Sequence, residues 1–193
     1  EKNRFKLRIR YYDAVPTNPV FFEIKRRVND AIIKSRASVH RHAVSEILRG
    51  RAFREDDLIN PGKFGAIEAL SKFCELRKQI NAQPVTSVAY QREAYSNMQD
   101  GSARVTMDRR LRGADWSNDF ADLGGSHWQP AQIDGVILEL KFKQRFPQWM
   151  ALLVRKFDLQ RRSVPKYVEC AHALKSPQLP SIGMLGRLAA YAG

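Results

Sequence analysis

The sequence predicts an α+β fold in which strands expose one charged face and pack helices against the other. Two observations support this class. Segments with apolar residues at helical spacing can cover apolar strand faces. Five other segments alternate between charged or polar and apolar residues, as strands do when one side of a sheet is buried: 6–12, 20–28, 87–95, 102–111 and 135–143. Composition does not break anywhere along residues 1–193, so we expect a single domain.

Each predicted strand has one mostly basic face. In KLRIRYY, at residues 6–12, alternate side chains are basic on one side and apolar on the other. The segments VFFEIKRRV, SVAYQREAY, SARVTMDRRL and GVILELKFK repeat this pattern with one or two carboxylates each. The apolar faces include Leu7, Ile9, Tyr11, Val20, Phe22 and Ile24. The charged faces include Lys6, Arg8, Arg10, Glu23, Lys25, Tyr90, Arg92, Arg104, Thr106, Asp108, Glu139 and Lys141.

Helices are predicted from apolar periodicity and from residues that begin or end helices. They cover residues 40–50, residues 66–81, and a segment that begins with Pro147 in its first turn. The apolar side of this last helix would carry Trp149, Leu152, Leu153 and Phe157. Turn-forming residues predict loops at 113–134 and 176–183.

The charge of the chain predicts an anionic partner. The formal net charge is +13 and the pI is about 10.1, which suits nucleic acid, an anionic membrane surface, or a phosphorylated molecule or polymer. No apolar run has the length of a transmembrane helix. Cys74 and Cys170 form neither a metal motif nor a disulfide framework, so we expect buried thiols and a cytoplasmic protein.

The direction of the charged faces has two interpretations. On an ordinary antiparallel sheet such a face is solvated and has no special function. If the sheet instead closes on itself, the five faces converge on a basic lumen. Like charges at short range repel, so that lumen would need an anionic counterion. Its few carboxylates, Glu23, Asp108 and Glu139, would then hold a divalent metal together with phosphate oxygens and water.

An ordered series of short motifs resembles the VTC domain, the polyphosphate-polymerase branch of the triphosphate tunnel metalloenzyme (CYTH-like) superfamily. The resemblance spans residues 4 to about 170. In chain order the motifs are K-x-R-x-R at Lys6, Arg8 and Arg10; E-x-K at Glu23 and Lys25; K-x-R at Lys34 and Arg36; Y-x-R at Tyr90 and Arg92; RVTMD at 104–108; LELK at 138–141; and the pair Lys166–Tyr167.

This resemblance implies an antiparallel β-tunnel with a basic lumen, flanked by helices. It implies transfer of the ATP γ-phosphate to a growing polyphosphate chain inside the tunnel, with Mn²⁺ or Mg²⁺ as the cofactor. The family normally has an earlier strand pair, so we expect this domain to lack its N-terminal strands. Partners would be ATP and polyphosphate rather than nucleic acid, in a free-standing bacterial protein; a membrane-associated partner is possible but is not visible in the sequence.

The resemblance also implies roles for individual residues. Glu139 aligns with the metal-binding glutamate of the family. Lys166 corresponds to the lysine of a Ser-Lys-Tyr motif, but Pro165 replaces the serine and offers neither a hydroxyl nor an N–H. The residues expected to act on the transferred phosphate are Arg8, Arg10, Lys25, Arg92, Arg104 and Lys166. Those expected to bind substrate are Lys6, Glu23, Lys34, Arg36, Tyr90 and Lys141.

Three other functions stay open from the residues alone. The same fold can transfer phosphate to water, as a tri- or polyphosphatase. A binding module for polyphosphate or nucleotide would need the basic residues but no turnover. A nucleic-acid-binding domain would fit the net charge, although carboxylates beside the basic residues would repel a phosphate backbone unless a metal intervened.

Overall fold

The computed structural model describes residues 4–29, 31–98, 101–116, 125, 127–133, 135–174 and 188–192. These residues form eight strands and four α-helices, which confirms the predicted α+β class. In chain order they are β1 (Arg4–Tyr11), β2 (Val20–Val28), β3 (Ala31–Val39), α1 (Arg41–Leu48), α2 (Ala66–Gln79), β4 (Pro84–Ser96), β5 (Ala103–Asp115), β6 (Gln129–Pro130), β7 (Ile137–Phe142), α3 (Gln148–Lys156), α4 (Lys166–Ala173) and β8 (Leu188–Ala192).

All the strands belong to one sheet. Its order is β3-β2-β1-β8-β4-β5, and β5 also pairs with both β6 and β7. The pairs are antiparallel as predicted, except that β8 runs parallel to β1 and to β4. Among the described residues no pairing joins β3 to β7, and a closed tunnel stays a prediction.

The main core lies between the apolar face of β1–β3 and helices α1 and α2. Alternation along β1 and β2 buries the side chains that the sequence assigned to the apolar face, which confirms that part of the prediction. Phe22 of β2 meets Phe73 of α2 edge to face, with ring centroids 4.8 Å apart. Because this packing fixes one side of the sheet, the charged residues of β1–β3 lie on the other side.

A second, smaller cluster fixes α4 against β4 and β5. Its buried members are Val88, Tyr90, Leu111 and Cys170. The helix approaches β5 so closely that a Cβ on Gly113 would lie 2.7 Å from Cys170 Cβ, so only glycine fits there. This contact places Lys166, the first residue of α4, beside the charged face of β5.

Several elements differ from the sequence prediction. β3, α4 and β8 were not predicted as elements. Strand β5 extends to Asp115, and β6 pairs with it inside the predicted 113–134 loop, part of which lies outside the described residues, as does the predicted 176–183 loop. In α3 only Met150 is fully buried, whereas Trp149, Leu152 and Phe157 on the predicted apolar side are exposed. Within the described ranges, no helix has the length and apolar character needed to cross a bilayer.

Candidate functional site: a basic face across the sheet

The most basic part of the site is a row of three lysines across neighbouring strands. Lys6 of β1 is the direct partner of Lys25 of β2, and Lys25 is the direct partner of Lys34 of β3. All three are exposed, and none makes an ion pair with the residues that the structure describes. Like charges directly opposite each other destabilise a sheet. The fold alone therefore gives this row no compensating charge.

Two residues further along each strand from the three lysines, a carboxylate lies between two arginines. Arg8, Glu23 and Arg36 are again direct cross-strand partners. Arg8 Nε donates to Glu23 Oε2 at 2.7 Å, and Arg36 Nη2 lies 3.0 Å from Glu23 Oε1. Both carboxylate oxygens are thus occupied by guanidinium groups. Glu23 therefore holds Arg8 and Arg36 in place.

Lys25 and Lys141 lie on strands that are far apart in sheet order, yet their charges act on each other. The pKa of Lys25 on β2 is lowered by burial and then by the charges of Lys34, Lys6 and Arg8, and also by that of Lys141 on β7. In sheet order β1, β8, β4 and β5 all lie between β2 and β7. Charges on the charged side of the sheet therefore act on one another although four strands separate β2 from β7 in sheet order. This side, lined by the predicted site residues, is called the charged face below.

On the part of the charged face formed by β4 and β5, Asp108 holds two cationic side chains. Its side chain is fully buried and accepts paired hydrogen bonds from Arg92, at 2.6 Å from Nε and 2.7 Å from Nη2. Lys166 Nζ of α4 lies 2.6 Å from Asp108 Oδ2. Burial acts to raise the pKa of Asp108, but these hydrogen bonds and charges outweigh it and hold the pKa below its usual value. The same carboxylate raises the pKa of Arg92.

Tyr90 connects the β1 part of the charged face to the part formed by β4, β5 and α4. Its hydroxyl accepts a hydrogen bond from Arg10 Nη2 at 3.0 Å, while Arg92 and Lys166 lie over its ring at 5.1 Å and 5.0 Å from the centroid. The register of β4 and β5 shifts at this residue, and Arg110 opposite takes φ 52°. A bulge of this kind re-aims side chains next to functional sites. Arg10 Nε is buried and has no hydrogen-bond partner among the described residues.

Glu139 of β7 is the carboxylate that best fits a metal ion. Its Oε1 lies 3.1 Å from Lys141 Nζ, while its Oε2 has only a long contact of 3.4 Å with Thr106 Oγ1. Burial acts to raise the pKa of Glu139, but Lys141, Arg92 and Lys166 lower it overall, so the group is ionised at neutral pH. One oxygen therefore keeps coordination capacity. Within the described part of the chain, Glu23, Asp108 and Glu139 do not gather into one metal-holding group.

The structure places the predicted site residues on one continuous face. Arg104 is the direct partner of Lys141, as Arg92 is of Asp108 and Thr106 is of Glu139. Sequence reasoning missed the part that Asp108 plays, because it treated this residue as a weak metal ligand and gave Lys166 no partner. The signal that could have found this contact is the buried alternation of β5, which makes Asp108 a charge that must be paired.

Taken together, the charged face has the donor set of a polyanion-binding surface. Comparison with known families agrees with this class. The family model described as the VTC domain matches residues 1–175, most of the chain. A search of curated proteins gave no match.

The chain therefore belongs to the VTC domain family, a CYTH-like, polyphosphate-related family that includes the catalytic domains of polyphosphate polymerases. Membership implies binding of nucleotide or polyphosphate, in a superfamily that typically uses divalent metals.

Proposed function

We propose that this domain is a metal-dependent polyphosphate polymerase that transfers the γ-phosphate of ATP to a growing polyphosphate chain. The observation that carries the proposal is the cross-strand row of Lys6, Lys25 and Lys34. A like-charge row that the protein leaves uncompensated is stabilised when another anion supplies the charge. Polyphosphate has a negative charge on every unit and can contact all three ammonium groups at once.

The balance of charge on the charged face supports a highly anionic ligand. It carries three carboxylates, and each is already paired with one or two cations. Ten predicted site residues are basic, so seven positive charges remain after the carboxylates are subtracted. The ten basic residues are Lys6, Arg8, Arg10, Lys25, Lys34, Arg36, Arg92, Arg104, Lys141 and Lys166.

Within this face, different residues would have different roles in phosphoryl transfer. Arginines held by carboxylates have fixed forks that bind phosphate oxygens in a bidentate manner, so Arg8 and Arg92 would orient the transferred group. Arg10 and Lys166, which both contact Tyr90, would act beside them. The exposed lysines would guide the chain as mobile charges. Arg104 would join them on β5.

The reaction requires the protein to position the reactants and to stabilise negative charge. A terminal oxygen of the polyphosphate chain forms a bond to the γ-phosphorus, the bond to the β,γ-bridging oxygen breaks, and ADP leaves with the electron pair. Negative charge spreads over the equatorial oxygens, and preorganised cations stabilise it. Glu139 would hold Mn²⁺ or Mg²⁺, which when bound supplies further charge stabilisation of the phosphates.

The proposal is tested by incubating the protein with ATP and Mn²⁺ and separating the products by chain length on a gel. We expect a ladder of polyphosphate that Arg8→Ala and Glu139→Ala both abolish. The matched control is Arg26→Ala, an exposed arginine next to Lys25 on the opposite side of β2. Its ladder should equal that of the wild type.

Other products would identify a different function. Orthophosphate without a ladder would mean that water is the acceptor and that the domain is a phosphatase. Polyphosphate binding without any turnover, lost in Arg8→Ala but unchanged by metal, would mean a binding module. Either result would overturn the polymerase proposal while leaving the charged face as the ligand site.

A further inference from the structure

The surface around α3 exposes several large apolar side chains. Trp149 and Leu152 of the helix are 48% and 55% exposed, and Phe157 directly after it is 64% exposed. Phe142 and Phe146, which precede the helix, are each 45% exposed. Single exposed apolar residues are common, but a cluster of aromatic ones marks an interaction site. These five side chains and the basic residues among them are called the α3 patch.

The α3 patch is continuous with the end of the β4–β5 hairpin. The Phe142 and Phe146 rings contact each other with centroids 5.1 Å apart. Trp149 lines a cavity of about 260 Å³ together with Tyr95 and Val105, which are direct partners on β4 and β5. Tyr95 is itself 59% exposed. The apolar surface thus extends from the helix over the hairpin.

The charges around these apolar residues have one sign. Between residues 142 and 162 the chain has six exposed basic residues and a single acidic one, Asp158. Basic residues beside exposed Trp, Phe and Leu on a short helix are typical of segments that lie in the interface of an anionic membrane. The basic residues are Lys143, Arg145, Arg155, Lys156, Arg161 and Arg162.

We propose that the α3 patch docks on the surface of an anionic phospholipid bilayer. Trp149 and Leu152 enter the boundary between headgroups and acyl chains, while Arg155 and Lys156 contact lipid phosphates and carboxylates. A second copy of the chain would bring like charges together on this face, so the charge disfavours it. A free polyanion would pair with the basic residues but leave the aromatic side chains in water.

The inference is independent of the polymerase proposal and is tested by co-sedimentation of the full chain with vesicles. One set contains phosphatidylcholine alone, and the other contains phosphatidylcholine mixed with phosphatidylserine. We expect binding to the mixed vesicles only, and less of it as salt is raised. Arg155→Gln with Lys156→Gln should weaken binding about thirtyfold, since each basic residue near such a surface contributes about a factor of five. Trp149→Ala with Leu152→Ser should weaken it about tenfold with no change of charge.

Matched controls separate the α3 patch from general charge and hydrophobicity. Lys63→Gln with Lys78→Gln removes two exposed basic residues elsewhere, and Phe64→Ser removes a fully exposed aromatic side chain in the loop before α2. Both should bind like the wild type. Circular dichroism and thermal unfolding would check each variant. If the Trp149 and Leu152 double variant unfolds, Leu152→Ser alone is used.

Three results would overturn the inference. The first is equal sedimentation of the protein with vesicles that contain phosphatidylserine and with vesicles of phosphatidylcholine alone. The second is a loss of vesicle binding in Lys25→Gln as large as in the Arg155 and Lys156 variant, because headgroups would then bind the charged face. The third is a dimer in analytical ultracentrifugation that Trp149→Ala dissolves, because the α3 patch would then be an interface between copies.

Discussion

Replacing the central lysine of the cross-strand row should make the protein more stable and bind its ligand more weakly. Lys25 is the direct partner of both Lys6 and Lys34. A like-charge pair directly opposite in a sheet costs about 0.2–1 kcal/mol. Lys25→Gln removes two such pairs at once, so the free energy of unfolding should rise by about 1 kcal/mol. For a chain of this size, that corresponds to an increase in Tm of about 2–4 °C.

The pH dependence of this effect has a definite sign. Because the folded protein lowers the pKa of Lys25, its protonated form is less stable in the folded than in the unfolded state. The penalty is fully present at neutral pH and is relieved as the pH rises through the folded pKa towards the ordinary value of 10.5. The difference between the wild type and Lys25→Gln should therefore be largest near neutrality and disappear above pH 10.5.

Urea unfolding and polyphosphate titration measure the two effects. A charge-assisted hydrogen bond contributes about 1.5–3 kcal/mol, so loss of the ammonium group should weaken binding at least about tenfold. Arg26→Gln, the neighbouring exposed residue on the opposite side of β2, should change neither property. A Lys25→Gln protein that is less stable than this control, or that binds polyphosphate as tightly as the wild type, would refute the reasoning.

Three further perturbations test other parts of the account. Asp108→Ala leaves Arg92 and Lys166 without their buried counter-charge and should lower the free energy of unfolding by about 3–5 kcal/mol. Since the pKa of Asp108 is lowered from 3.8, this difference in the free energy of unfolding, measured with urea, should be present at pH 7 and shrink as the pH falls below 3.8. A decrease of less than about 1 kcal/mol at pH 7 would contradict the buried contacts. Gly113→Ala pushes a Cβ into Cys170 and should cost about 1–3 kcal/mol in thermal unfolding, so an unchanged Tm would contradict the close approach of α4. Chelation by EDTA should abolish the polyphosphate ladder and Mn²⁺ should restore it, whereas chain growth in EDTA would exclude a metal requirement.

The sequence predicted the local elements well where a single physical signal decides them. Alternation in KLRIRYY and VFFEIKRRV follows from one wet and one buried face, and the buried positions Leu7, Ile9, Phe22 and Ile24 agree with it. Periodicity likewise found α2. Strand β3 was missed because its first four residues, AIIK, are all exposed and show no buried alternation. The exposure of the apolar side of α3 was not predictable, because periodicity finds a helical face but cannot tell whether anything in the protein covers it.

The site was predictable in its residues but not in its connections. Motif order brought the basic residues together, yet the sequence could not give the register that makes Lys6, Lys25 and Lys34 direct neighbours. Register depends on strand pairing across the whole sheet. The contact between Asp108 and Lys166 depends on how α4 docks against Gly113, a tertiary feature that no local pattern encodes.

Lysine footprinting would show whether the charged face binds a polyanion. The wild-type protein is methylated with formaldehyde and a hydride donor, with and without polyphosphate, and the modified lysines are quantified by mass spectrometry. We expect polyphosphate to protect Lys6, Lys25 and Lys34 and to leave Lys63 and Lys78 as reactive as before. Equal protection of all exposed lysines, or none at the three-lysine row, would contradict a dedicated polyanion site on the charged face.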